Sequence, residues 1–499
     1  MARVLYRSGR IHAHPDASAL VTDDELVAWI GDDAREAGTV DATVDLDGAW
    51  LAPAFVDAHV HTTSTGLALT GLDLTETTSL AHALRLLADH CRAQRGGVVL
   101  GTGWDETRWP EHRPPTAAEL DRASFGGVVY LARTDVHSAV ASSALLAAVP
   151  EVRSLPGFLG DGLVRQEAHH AVRRTASEAV TGAQRRSAQR AALDRFAALG
   201  IACVHECGGP DINGEDDFTG LLALEHPVER IGYWGELDAI EKARDLGAVG
   251  AAGDLFVDGA LGSHTACLSA AYADEDTVGA AYLDAQQVAG HVLACTKAGL
   301  QAGFHAIGDA ALQAVADGFA TVADTAGLAT LRAARHRVEH VEMLSAGQLA
   351  VLVDCGVTAS VQPAFDARWG GPEGMYAARL GVARALAMNP LAAMRAAGMS
   401  LALGSDTPVT PPDPWAGVRA AVAHRTPGSA LSIADAFAAH TAGGWQAAGR
   451  PGHGELRRGG PATFVVWDES GPLVDGFPQV LELTPVARTT VICGRAAGP

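Results

Sequence analysis

Lysine is almost missing from this chain. Only Lys242 and Lys297 stand among 37 basic residues, and 58 acidic ones leave a formal net charge of −21. With a pI near 5.3, the protein repels phosphate-rich surfaces, so neither a nucleic acid nor an anionic membrane is expected as a partner. Cysteine is sparse as well. Cys91, Cys203, Cys207, Cys267, Cys295, Cys355 and Cys493 are odd in number and scattered. This argues against a disulfide framework and suits reduced thiols in a cytoplasmic protein. Cys203 and Cys207 form a C-x3-C pair with no second pair to complete a zinc finger, so they read as buried thiols. The N-terminal "MARVLYRSGRIHAHPD" lacks the apolar stretch of a signal peptide. No run is long and apolar enough to span a bilayer without charges or glycines. Internal repeats and low-complexity tracts are missing too.

What is present is a long chain, 499 residues and 48% hydrophobic, too much for one core, so two or more structural units are expected. Both ends are β-rich. "RVLYRSGRIHA" alternates and turns at Ser8-Gly9, "ELVAWIGDD" and "TVDATVDLDGAW" continue the pattern, and "ATFVVWDE" (462–469) and "ARTTVICGR" (487–495) match it at the far end. Residues 1–52 and 446–499 therefore read as one small β-sandwich built from both termini. Between them, apolar strand candidates at 51–58, 201–205, 230–234, 254–258, 301–305, 336–340, 357–361 and 400–404 alternate with Ala-rich helical stretches such as 184–199, 310–324 and 385–397. Repeated β–α units of that number predict an α/β fold, a (β/α)8 TIM-like barrel over 53–445. An open doubly wound sheet would need a glycine-rich phosphate fingerprint that is not there. Residues 62–199 are too long for one crossover and read as an insertion with its own helices and strands near 98–102 and 128–132.

Barrels gather their chemistry at the C-terminal ends of the strands. There the first strand carries His59 and His61, which alternation places on one side. His305 ends the fifth strand, His340 the sixth, and Asp406 follows the eighth. A lone histidine at a strand end is usually structural, and His12 and His14 form a chance H-x-H pair. Four imidazoles and a carboxylate converging on one face are a different matter: the set suits zinc, and iron or manganese less decisively.

These residues resemble the metal-dependent amidohydrolase superfamily, and within it amidohydrolase family 3, which includes N-substituted formamide deformylases. "LAPAFVDAHVH" is similar to the family's first-strand motif, with Ala54 where Gly is usual. "GTGWDETRW" (101–109), "DGALGSHTA" (258–266), "HAIGD" (305–309), "VEH" (338–340), "QPAF" (362–365), "GSDTPV" (404–409) and "GELRRGGPATFVVWD" (454–468) resemble family stretches in the same order. The resemblance implies a hydrolase of carbon–nitrogen bonds other than peptide bonds, cleaving an amide, N-acyl or formamide group of a small organic molecule. His59, His61 and Asp406 would bind one divalent metal, most readily zinc, and His305 and His340 a second. Water between them would be the nucleophile. Asp406 would be general base and then acid, with His340 also catalytic. The resemblance further implies a homodimer. For the substrate it points to His137, in "LARTDVHSAV" (131–140), with Trp104 and Asp105 at the pocket mouth. Asp258 would hydrogen-bond substrate or a ligand histidine, and Gln362 and Pro363 would shape the pocket wall.

One position departs from the pattern. Many binuclear relatives bridge their metals with a carboxylated lysine at the fourth strand, where this chain has Asp254, and neither Lys242 nor Lys297 is placed to substitute. An aspartate is several bonds shorter, which counts against its reach. Glu206, in "CVHECGG", offers another bridge. With no bridge the site would hold one ion on His59, His61, His305 and Asp406, with His340 orienting water, as in deaminases acting on ring amidines. Those relatives often carry a Glu just after the fifth-strand histidine, where this chain has only Asp309. A catalytically inactive binding protein is a third reading, set against the intact terminal ligands.

Overall fold

The structure is a computed structural model describing residues 2–94, 96–133, 138–210, 212–469 and 471–497. It divides into two compact units, Met1–Thr62 with Leu193–Pro499, and Thr63–Ala192. The first contains eight parallel strands in sequence order: β1 (Phe55–Val60), β2 (Ile201–Gly208), β3 (Glu229–Trp234), β4 (Gly250–Ala251), β5 (Gln301–Ala306), β6 (Arg337–His340), β7 (Thr358–Val361) and β8 (Ser400–Leu403). The sheet closes on itself just beyond β8, where Asp406 N–H donates to His59 O at 2.8 Å and His61 N–H donates to Thr407 O at 3.0 Å. Closure of this parallel sheet makes the TIM-like barrel, with helices in the connections. Helix Ala285–Ala298 illustrates how local sequence sets one of them. Asp284 and Gln287 form a capping box at its start, and Gly299 ends it in the left-handed region. The next helix, Asp309–Ala326, buries Leu312, Val315, Phe319 and Val322, each contributing about 1.5–3 kcal/mol by leaving water.

Two strands differ from their sequence-based bounds. The run 51–58 is not one strand. Trp50–Pro53 pairs with Phe464–Trp467 in an end sheet, and only Phe55–Val60 enters the barrel. Pro53 has no N–H to continue a ladder, which separates the two. The fourth strand begins at Gly250, ahead of the expected 254, and is interrupted at Gly253 (φ +84°) before Phe256 pairs with His305. Asp254 lies in that interruption.

The chain ends form two facing sheets. One contains Arg3–Arg7, Ala19–Asp23, Leu26–Gly31 and Ala42–Asp45, and the other Arg10–Ile11, Trp50–Pro53, Phe464–Trp467, Ala487–Ile492 and Arg495–Ala497. Tyr6, Leu20 and Val27 of the first pack with Leu51, Phe464, Val466 and Val491 of the second. The unit Thr63–Ala192 has its own sheet, Leu72–Asp73, Val99–Trp104, Val129–Arg133, Ser138–Ala141 and Leu163–Arg165, around Leu87, Trp104, Trp109, Leu120 and Leu131. The seven cysteines are unpaired thiols. Among the described residues no helix is long and apolar enough to cross a membrane.

Candidate metal centre

His59 and His61 end β1, and Asp406 follows β8 across the seam that closes the barrel. Asp406 Oδ1 lies 3.1 Å from His61 Nε2 and 3.6 Å from His59 Nε2. Gly404 lets the two segments approach so closely: a Cβ there would meet His59 N at 2.6 Å. His305 and His340 come from β5 and β6, their ring centroids 4.4 Å apart. His340, Val341 and Asp406 adopt φ of +69°, +53° and +53°. Such backbone is costly for residues other than glycine, above all for a β-branched valine.

Asp254 occupies the middle. Its Oδ2 is 3.4 Å from His59 Nε2 and 3.3 Å from His61 Nε2, and its Oδ1 is 3.7 Å from His340 Nε2. Its two oxygens thus face two groups of donors, His59 with His61 and His305 with His340. The short side chain reaches because the main chain moves towards it. At Gly235 a Cβ would lie 2.6 Å from Asp254 C, and at Gly253 one would lie 3.2 Å from Cys207 Sγ, so two missing side chains bring the backbone of residue 254 close to its neighbours. Glu206 takes no part in these groups. Its Oε2 accepts Thr62 N–H at 2.8 Å and its Oε1 accepts Asn213 Nδ2–H at 3.1 Å, while burial pushes its carboxyl up to about 7. Glu206 therefore stands outside the groups expected for it from sequence, and Asp254 is the carboxylate that lies between them.

The polar atoms fit a divalent cation. His59 Nε2, Asp254 Oδ1, Asp406 Oδ1 and His305 Nδ1 are buried without hydrogen-bond partners, a costly state unless an ion completes them. Three imidazoles are held from behind at Nδ1: His59 by Glu339 Oε2 (3.0 Å), His61 by Cys207 O (3.1 Å) and His340 by Gln362 Oε1 (2.8 Å). All three partners are acceptors, so each Nδ1 carries the proton and each Nε2 lone pair faces the centre, the usual support of a metal-binding histidine. In the ion-free protein burial works against an imidazolium, yet the Asp254 and Asp406 carboxylates outweigh it and push His61 up to about 10. Burial also opposes ionisation of both aspartates, and the facing imidazoles nevertheless hold them below the usual carboxylate range. A second grouping, His59 with Cys207 and Glu339, is a poor cation site because the Arg337 guanidinium already binds Glu339 at 2.6 Å.

The other sequence candidates fall elsewhere. Asp258 is fully buried, and its carboxylate accepts the N–H groups of Cys267, Ile307 and Gly308 at 2.8–3.0 Å, with His305 Nδ1 3.6 Å away. It ties the loop after β4 to the loop after β5. Trp104 is 1% exposed in the core of the Thr63–Ala192 unit, its indole N–H donating to Leu131 O at 2.8 Å. That burial corrects its reading as a pocket-mouth residue: a large ring with its one donor engaged belongs to the core. His137 lies outside the described residues. A cavity of about 1240 Å³ is lined by His12, Trp50, Phe437 and Phe477, and none of the metal-facing groups lines it. Sequence reasoning missed Glu339, Arg337 and the contact of Gln362 with His340. The available signal was a pair of opposite charges two residues apart inside the four-residue strand RVEH, all of it buried.

Comparison with known proteins agrees with this geometry. Residues 42–496 match the model of the amidohydrolase family. The chain is 28% identical to Protein LONG AFTER FAR-RED 3 of Arabidopsis thaliana, over 89% of this chain and 82% of that one. It is 25% identical to the N-substituted formamide deformylase of Arthrobacter pascens, over 95% and 94%. Among solved structures, an uncharacterised metal-dependent hydrolase of Pyrococcus furiosus superposes with a TM-score of 0.76 at 26% identity, covering 92% of this chain and 97% of that one. A match along nearly the whole chain, joined to a barrel that gathers histidines and aspartates at its strand ends, places this protein in the amidohydrolase family of metal-dependent hydrolases.

Proposed function

We propose that the protein hydrolyses an amide, N-acyl or formamide bond of a small organic molecule at a divalent-metal centre, zinc by preference, which the unmodified carboxylate of Asp254 would help to hold together with the surrounding histidines and Asp406. One observation carries this reading: the two oxygens of Asp254 face separate histidine groups. His59, His61 and Asp406 would hold one ion, and His305 and His340 the other. A divalent cation there supplies Lewis acidity, lowering the pKa of water to about 7 and polarising a carbonyl oxygen. Asp406, held ionised by the facing imidazoles, takes a proton from the attacking water at its carboxylate. It returns that proton to the leaving nitrogen as the C–N bond breaks, giving a carboxylic acid or formate and an amine. Glu339, the Cys207 carbonyl and Gln362 keep the histidine protons on Nδ1, so each Nε2 lone pair faces the centre, where a cation would take it up.

The single-ion deaminase reading has less support. Asp309, the residue present where such relatives often carry a Glu, accepts Ser269 N–H at 2.9 Å at the start of a helix, and the place of Asp254 between two histidine groups favours a second ion. The relative from Arthrobacter pascens favours N-substituted formamides as first substrates. Metal-stripped protein, reconstituted with zinc or manganese, should release amine, formate or ammonia from a panel of formamides, N-acyl amines and ring amidines. Equal inertness of wild type and Asp406→Asn across that panel would sink the reading.

A further inference from the structure

Beneath the metal-facing groups, β6 carries two charges that no solvent reaches. Arg337 and Glu339 are both 0% exposed. Arg337 Nε donates to Glu339 Oε1 at 2.6 Å and Nη2 to Oε2 at 2.9 Å. The same guanidinium donates to Ala58 O (2.7 Å), Ser360 Oγ (2.9 Å) and His205 Nδ1 (3.0 Å), and lies 4.2 Å above the Tyr233 ring. Groups on β1, β2, β3, β6 and β7 thus engage the guanidinium. A pair this deep is a poor source of stability, because desolvating two charges offsets their attraction and apolar replacements are often neutral. Its geometry suggests another use. Glu339 Oε2 is also the acceptor for His59 Nδ1, at 3.0 Å.

We propose that the Arg337–Glu339 pair is a positioning device for His59: the guanidinium fixes the carboxylate, and the carboxylate holds the imidazole proton on Nδ1 and turns Nε2 to the metal. This rests on the metal-centre reading above. His61 and His340 lean on neutral acceptors, a carbonyl and an amide. Of the three imidazoles held by a hydrogen bond at Nδ1, His59 has the charged acceptor, and among the described residues it groups both with His61 and Asp254 and with His340 and Asp406. A misplaced His59 therefore disturbs its own half of the centre and its approach to His340 and Asp406. Charged acceptors make stronger hydrogen bonds and leave the opposite ring nitrogen a better donor to a cation.

Two double variants test this without leaving a lone buried charge. Arg337→Met with Glu339→Gln keeps an acceptor for His59 Nδ1, whereas Arg337→Met with Glu339→Leu removes it. Each metal-stripped protein is titrated with zinc against a chromophoric chelator, and the unfolding midpoint of the metal-free form is measured alongside. The Gln variant, left with a neutral acceptor that no guanidinium fixes, should fall between wild type and the Leu variant, which should bind zinc about 10–100-fold more weakly than wild type, with similar midpoints for both. Equal zinc affinities for the two double variants would overturn the proposal. A wild type that takes up no zinc would overturn it together with the metal-centre reading, so the two failures are distinguishable.

Discussion

Asp254→Asn keeps the shape of the central side chain and removes its charge. Asp254 Oδ2 stands 3.3–3.4 Å from two imidazole nitrogens and Oδ1 3.7 Å from a third, so one substitution touches both halves of the centre. Groups that merely support a ligand cost about 10–100-fold in metal affinity when removed. Loss of a shared ligand should reach at least the upper end, ~100-fold or about 3 kcal/mol, at one ion or both. The assay is zinc titration of metal-stripped protein against a competing chelator, in buffer purged of carbon dioxide and again with added bicarbonate. Wild type should take up a pair of ions equally well in both buffers, because its bridge is a side chain that needs no carboxylation. An Asn variant that binds the full pair with wild-type affinity, or a wild type that requires bicarbonate, would refute the bridging role.

Gly404→Ala would put a methyl group 2.6 Å from His59 N, against backbone that cannot yield. It should cost about 1–3 kcal/mol and lower kcat; calorimetry and kinetics that match wild type would contradict the close approach. Glu206→Gln should leave zinc stoichiometry unchanged and lose about 1 kcal/mol, because only its contact with Asn213 Nδ2 is spoiled; loss of an ion from the variant would return Glu206 to the ligand set. His336 is fully buried, accepts Ala302 N–H at 2.8 Å, and is held at about 4 by burial and then by His291. Its folded value lies below the unfolded one near 6.5, so the unfolded chain binds the proton first as pH falls. Stability is untouched above pH ~6.5 and declines towards pH ~4 by about 3 kcal/mol in total. Denaturant unfolding at pH 7 and pH 5 should therefore show a smaller acid loss in His336→Gln than in wild type, and equal losses would exclude the role.

The sequence by itself determined the strand order, the barrel and the arrival of His59, His61, His305, His340 and Asp406 at one face. Each of these is a local fact: an apolar run followed by a ligand residue, repeated along the chain, with barrel geometry carrying all strand ends to the same place. Tertiary structure alone decided what stands between those side chains. Asp254 reaches the centre because Gly235 and Gly253 leave room for its backbone, and that reach depends on contacts between segments distant in sequence. Glu206 stands near the C-terminal end of β2, much as the candidate ligands stand at their strand ends, yet Thr62 and Asn213 hold both of its oxygens. Trp104 looked like a pocket residue until its burial and its bond to Leu131 were seen. Arg337 and Glu339 were visible as charges within a strand, but their link to His59 spans 278 to 280 residues of chain. Spacing reports which residues share a face, whereas the last few ångströms are set by which side chains are missing around them.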